Sequence, residues 1–214
     1  MKRFEREMIR GWLHEPSTAS VDSGAGPAVR GDGLVITHGA GGNCDAPLIR
    51  AIATAFADAG YMVLRCDLPF RQVRPHGPPF PAQAETDREG LRRAAEAMRE
   101  LAAGRLILSG HSYGGRQATM LAADLPNVAD RLLLLSYPLH PPAKPTQLRT
   151  AHFPQLRTPS LFFQGTKDSF GSIDEMRAAL ALIPARTELV AVEGEGHGLS
   201  AKVARTCIER LEQF

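Results

Sequence analysis

Ser112 stands in Gly110-His111-Ser112-Tyr113-Gly114, a Gly-x-Ser-x-Gly spacing. The apolar run Leu106-Ile107-Leu108 precedes it, and a helical pattern from Arg116 to Ala123 follows. A strand that turns sharply into a helix would strain the serine backbone and raise its Oγ at the end of a sheet. Gly110 and Gly114 suit that turn because side chains there would collide across it. A serine hydroxyl is a weak nucleophile; it needs a general base, and the base needs an acid that orients it. Both are available downstream. Pro159–Gln164 reads as a buried strand, and Asp168 lies in the loop beyond it. Thr187–Val192 reads as a later strand, and His197 lies just past it in a Gly-rich turn. The implied chemistry is attack of Ser112 on a carbonyl, with His197 as base and Asp168 as its partner.

Such an attack builds negative charge on the carbonyl oxygen, which calls for N–H donors aimed at one point. The short strand Leu34–Thr37 runs into His38-Gly39-Ala40-Gly41-Gly42, whose glycines let the backbone curl. The expected donors are the N–H groups of Tyr113 and Ala40. With these motifs, and with Asp67-Leu68-Pro69-Phe70-Arg71, Tyr137-Pro138-Leu139-His140, Gln164-Gly165-Thr166-Lys167-Asp168-Ser169-Phe170-Gly171 and Gly196-His197, the chain resembles the α/β-hydrolase superfamily. The order serine, acid, histidine is that of this superfamily. The resemblance runs from about Leu34 to the C-terminus and points to the small, dienelactone-hydrolase-like branch. It implies an α/β-hydrolase fold and a serine hydrolase of carboxylic esters, thioesters or lactones, working through an acyl-enzyme without a cofactor. The branch includes hydrolase-like proteins with non-catalytic roles. A silent interaction module and an acyltransferase on the same triad are therefore the alternatives.

Other residues near the same strand ends are candidate substrate contacts: His38, Arg71, His111, His140 and Arg149. His38 and His111 could instead pack or hydrogen-bond within their turns. Arg71, Arg74, Lys144 and Arg149 sit in two loops where a cation could bind a carboxylate or phosphate on a substrate. Glu193 and Glu195 lie close to His197 in sequence and compete with Asp168 for the role of acid. Cys44 follows the glycine loop, and His152 lies in the second of the two loops. Spacing suited to a metal is missing around His38, Asp67 and His111.

These residues need a frame. Strand-like segments at Phe4–Glu15, Tyr61–Cys66 and Arg131–Ser136 join those above, interleaved with helical patterns at Pro47–Ala59, Glu85–Ala103, Ser172–Ile183 and Ala201–Leu211. Alternation of this kind implies a mainly parallel, twisted sheet with helices on both faces. The 214 residues suit one domain spanning 1–214. Pro16–Gly33 reads as a surface loop. The loops Asp67–Ala84 and Tyr137–Thr158 carry five prolines each and no long helical pattern, so no large cap domain is expected, and the site should be shallow and suited to short acyl groups. A net charge of +2 makes no electrostatic case for nucleic acid or membrane. The charged N-terminal residues and three widely spaced cysteines suit a reducing cytoplasm. The expected partner is a small acyl compound; the sequence leaves oligomeric state open.

Overall fold

The computed structural model describes residues 1–16 and 31–214. Most of the Pro16–Gly33 stretch read as a loop lies outside the described residues. Eight strands form one sheet in the order β1-β2-β4-β3-β5-β6-β7-β8. The hairpin of β1 (Lys2–Arg6) and β2 (Ile9–His14) is antiparallel and adds to β4 (Met62–Asp67) antiparallel. From there the sheet is parallel through β3 (Gly33–Thr37), β5 (Leu106–His111), β6 (Arg131–Leu135), β7 (Ser160–Gly165) and β8 (Thr187–Val192). Every residue of β3 and β7 is buried, as continuous apolar runs in a doubly covered sheet should be.

Helices cover both faces. On one, α1 (Pro47–Asp58) packs with α6 (Val203–Gln213) over a core that includes Ile36, Ile52, Phe56, Phe163 and Cys207. On the other, α3 (Ala84–Leu101), α4 (Tyr113–Asp124) and α5 (Ile173–Leu180) close a core that includes Leu64, Met98, Leu134 and Phe162. The α3 sequence explains its placement. Leu91, Ala94, Ala95 and Met98 form its buried stripe, while Glu85 and Asp87 in the first turn and Arg99 in the last suit the helix dipole. Burying one leucine-sized side chain is worth about 1.5–3 kcal/mol, so these two apolar faces, rather than surface ion pairs, hold the layers together. The expected elements are present, with ends displaced by no more than three residues. One addition is the five-residue α2 (Pro69–Val73), started by Pro69 at the first helical position. No large cap domain is found among the described residues; the Tyr137–Thr158 loop contains only a short 3-10 turn at Phe153–Gln155.

Candidate active site

The parallel strands end side by side, and the candidate residues follow those ends. At the close of β5, Ser112 has φ 51° and ψ −115°, a costly conformation for a residue with a side chain. The glycines around it allow the turn. A Cβ on Gly110 would stand 2.5 Å from the Gly114 carbonyl carbon, and one on Gly114 would stand 2.6 Å from the His38 oxygen. The turn is tied to its neighbours by backbone bonds. Ser112 N–H donates to Leu135 O at 2.8 Å, Ser136 N–H to Phe163 O at 2.8 Å, and Thr166 N–H to Val192 O at 3.1 Å.

Ser112, His197 and Asp168 are brought together. His197 Nε2 lies 2.7 Å from Ser112 Oγ, and His197 Nδ1 lies 3.0 and 2.9 Å from the two carboxylate oxygens of Asp168. A carboxylate accepts only, so Nδ1 carries the proton and Nε2 is left as the acceptor facing the hydroxyl. Asp168 is itself fixed: it accepts from Phe170 N–H at 2.8 Å and from Gln164 Nε2 at 2.9 Å. Phe170 stacks on the imidazole, with ring centroids 4.0 Å apart and an interplanar angle of 27°. Glu193 and Glu195 are elsewhere. Glu195 accepts from Ser200 N–H, and Glu193 pairs with Thr166 Oγ1.

Tyr113 and Ala40 both border the cleft beside Ser112. The Tyr113 N–H is at the first position of α4, where no earlier turn can accept it. Its phenol donates to Asp87 Oδ2 at 2.8 Å, and Asp87 also accepts from Phe70 N–H at 2.9 Å. Burial pushes the Asp87 carboxyl above the usual range, while these bonds oppose the shift. Ala40 sits in the glycine loop, which passes close to Ser112: a Cβ on Gly39 would lie 3.3 Å from Ser112 Cβ.

Two of the candidate substrate contacts are corrected. Arg71 is buried, and its guanidinium donates to the carbonyls of Gly42, Arg74, Ala40 and Gly77 at 2.7–3.0 Å. It clamps the glycine loop, with four of its five donors taken by backbone carbonyls, and it does not line the cleft. His140 is buried away from the cleft, with Nδ1 2.9 Å from Pro141 O and Nε2 3.5 Å from Glu175. His38 borders the cleft, but both ring nitrogens are occupied: Nδ1–H donates to Gly39 O, and Nε2 accepts from Leu68 N–H. Burial keeps this ring neutral. His111 lines the cleft and bonds through Nε2 to the His197 carbonyl at 2.8 Å, with burial lowering its pKa. Arg149 lines the cleft. Cys44 is buried, and its thiol is pushed up to about 12 by burial and by Asp67, which rules out a ready thiolate. His152 bonds to Thr119 Oγ1 at 2.8 Å outside the cleft lining.

Sequence reasoning missed Gln164, which donates to Asp168, and Arg116, which lines the cleft. Gln164 lay within the quoted motif, but a strand glutamine has no intrinsic mark of its role. Arg116 lies one helical turn beyond Ser112, and that spacing was the available signal. The expected shallow site is also corrected. The open cleft over Ser112 has a volume of about 1010 Å³, more than a short acyl group fills, and Pro78, Pro79, Phe80, Pro81, Leu48 and Ile49 are among the residues that line it. Among the described residues, no group of three or more His, Cys, Asp or Glu is placed to hold a metal ion. No helix there is long and apolar enough to cross a membrane.

A mostly parallel sheet, a strained serine between strand and helix, and a histidine–aspartate pair at the same edge define a hydrolase of the α/β class. The chain belongs to the alpha/beta hydrolase domain family, whose pattern matches residues 31–209. Its fold is similar to that of Est1E from Butyrivibrio proteoclasticus with ferulic acid bound, at 16% identity, covering 100% of this chain and 98% of that one, with a TM-score of 0.74. An α/β serine hydrolase without lid from Xanthomonas campestris matches at 19% identity over 95% and 89% of the two chains, TM-score 0.70. Dienelactone hydrolase from Anabaena variabilis matches at 21% identity over 95% and 88%, TM-score 0.69.

Proposed function

We propose that the chain is a serine hydrolase of acyl compounds, taking a carboxylic ester, thioester or lactone, with Ser112, His197 and Asp168 as its catalytic residues. The observation that carries this reading is the unbroken chain of contacts from Ser112 Oγ through both nitrogens of His197 to the buried Asp168 carboxylate. His197 Nε2 takes the hydroxyl proton as Ser112 Oγ bonds to the carbonyl carbon. The N–H groups of Tyr113 and Ala40 hold the oxyanion, and Asp168 stabilises the imidazolium. Collapse expels the alcohol or thiol, which takes the proton from His197 and leaves an acyl group on Ser112. Water then repeats the sequence, releasing the acid and restoring the serine. Three free, buried cysteines support a reducing, cytoplasmic setting.

A fluorophosphonate tests the reading directly. The expected outcome is one covalent adduct per chain, at Ser112, lost in Ser112→Ala. A folded chain that is not labelled, or a labelled S112A variant, overturns it.

A further inference from the structure

The cleft lining holds two formally charged side chains, Arg116 and Arg149, and no acidic one. Arg116 lies in the first turn of α4. Its Nε is buried without a hydrogen-bond partner, and its guanidinium joins no ion pair among the described residues. Arg149 is held by its backbone: its N–H donates to Leu139 O at 2.8 Å, and its carbonyl accepts from the Tyr137 hydroxyl at 2.7 Å. One guanidinium donor reaches Pro138 O at 3.2 Å, and the rest of the fork faces no carboxylate. Burial and the nearby Arg116 charge push the Arg149 guanidinium below its ordinary range. Neighbouring like charges, half-buried and without a counter-charge, are unfavourable. Oxyanions relieve that arrangement, since guanidinium forks give them paired N–H···O bonds.

The rest of the cleft is different. Leu48, Ile49 and Leu199 belong to the apolar core under α1 and α6, whereas the helix carrying Arg116 packs on the opposite face of the sheet. Met120, one helical turn beyond Arg116, and Phe80 also line the cleft, so its two cations sit within an otherwise mainly apolar lining. We infer that its substrate is an ester or thioester bearing an oxyanion group, carboxylate or phosphate, which Arg116 and Arg149 hold while the apolar lining takes the remainder. This rests on the hydrolase reading of Ser112. Arg71, Arg74 and Lys144 take no part. Arg71 clamps a loop, Arg74 lies over the Phe80 ring at 4.3 Å, and neither Arg74 nor Lys144 lines the cleft.

The anion could sit on the acyl chain or on the leaving group, and two substrate pairs separate these sources. The acyl pair is p-nitrophenyl hydrogen glutarate against p-nitrophenyl valerate. The leaving-group pair is acetyl-coenzyme A against S-acetyl-N-acetylcysteamine. In one pair, kcat/KM is expected to favour the anionic member by about tenfold or more, a preference that shrinks in high salt. Arg116→Gln and Arg149→Gln should each lower that ratio at least about fivefold. Arg205→Gln, on the exposed face of α6, should leave it unchanged. If phosphonate labels Ser112 and neutral esters turn over, a wild type without preference in either pair overturns the inference, as does an unchanged ratio in R116Q and R149Q. If phosphonate fails to label the folded chain, the hydrolase reading falls, and the anion site is read alone. A rise in Tm with glutarate or coenzyme A, lost in R116Q, then supports the site; no rise overturns it.

Discussion

Replacing Arg71 by methionine should damage the chemistry without touching the reacting groups. Arg71 makes four bonds to carbonyl oxygens, two of them to Ala40 and Gly42 in the loop that carries the proposed second oxyanion donor. A hydrogen bond from a charged group is worth about 1.5–3 kcal/mol, so the two loop bonds together restrain the loop by roughly 3–6 kcal/mol. Loss of one oxyanion donor costs about 10²–10³ in kcat, or roughly 2.7–4 kcal/mol. The restraint is comparable to the donor's worth, so releasing it can approach that ceiling. R71M should therefore lower kcat by about 10², with KM changing less than about threefold. R71K keeps the charge but can satisfy fewer carbonyls at once, and should fall between R71M and wild type. Initial rates on an activated short-chain ester, divided by active sites counted by phosphonate titration, remove any contribution from unfolded chain. A folded R71M with kcat within about threefold of wild type would refute the clamp.

Two further outcomes follow from the site and its surroundings. Asp168→Asn should lower kcat by about 10⁴ while the fold survives, because an asparagine oxygen still accepts from Phe170 N–H but His197 loses the partner that sets its tautomer; a loss under about tenfold in the ester assay would move the acid elsewhere. Burial and the nearby Arg116 and Arg88 charges hold His152 down at about 4 against an ordinary 6.5, so below pH 6.5 the unfolded chain takes a proton that the folded chain refuses. Its contribution to stability is present above pH 6.5 and is lost as pH falls toward 4. The urea midpoint should drop over that window, and His152→Gln should drop less; equal slopes for the two would show that this ring is not the group responsible.

The reading of the fold from sequence succeeded where one local signal sufficed. Continuous apolar runs such as Leu106–Leu108 and Leu161–Phe163 can be satisfied in a sheet covered on both faces, and glycine spacing places the strained turn at Ser112. Asp168 and His197 stood out because each lies in the loop that leaves the carboxyl end of a strand. Arg71 was misread because its partners are backbone carbonyls, which every residue possesses and no sequence pattern locates; His140 is held by one such carbonyl and lies beside Glu175 of a later helix. The size of the cleft was misjudged for a related reason. Proline count measures how stiff a loop is, but not how much space it leaves over the site.

The backbone bonds that link the ends of β5, β6, β7 and β8 make the site's dimensions a property of the sheet. The spacing from Ser112 to Asp168 is counted in strand separations, about 4.8 Å each. Side-chain packing adjusts that spacing only at the margin. Amides such as those of Ser112 and Ser136 then belong with the slowest-exchanging class, which opens only when the whole domain opens. On heating or in denaturant, the site should keep its register until the sheet gives way. Inactivation and unfolding would be a single event.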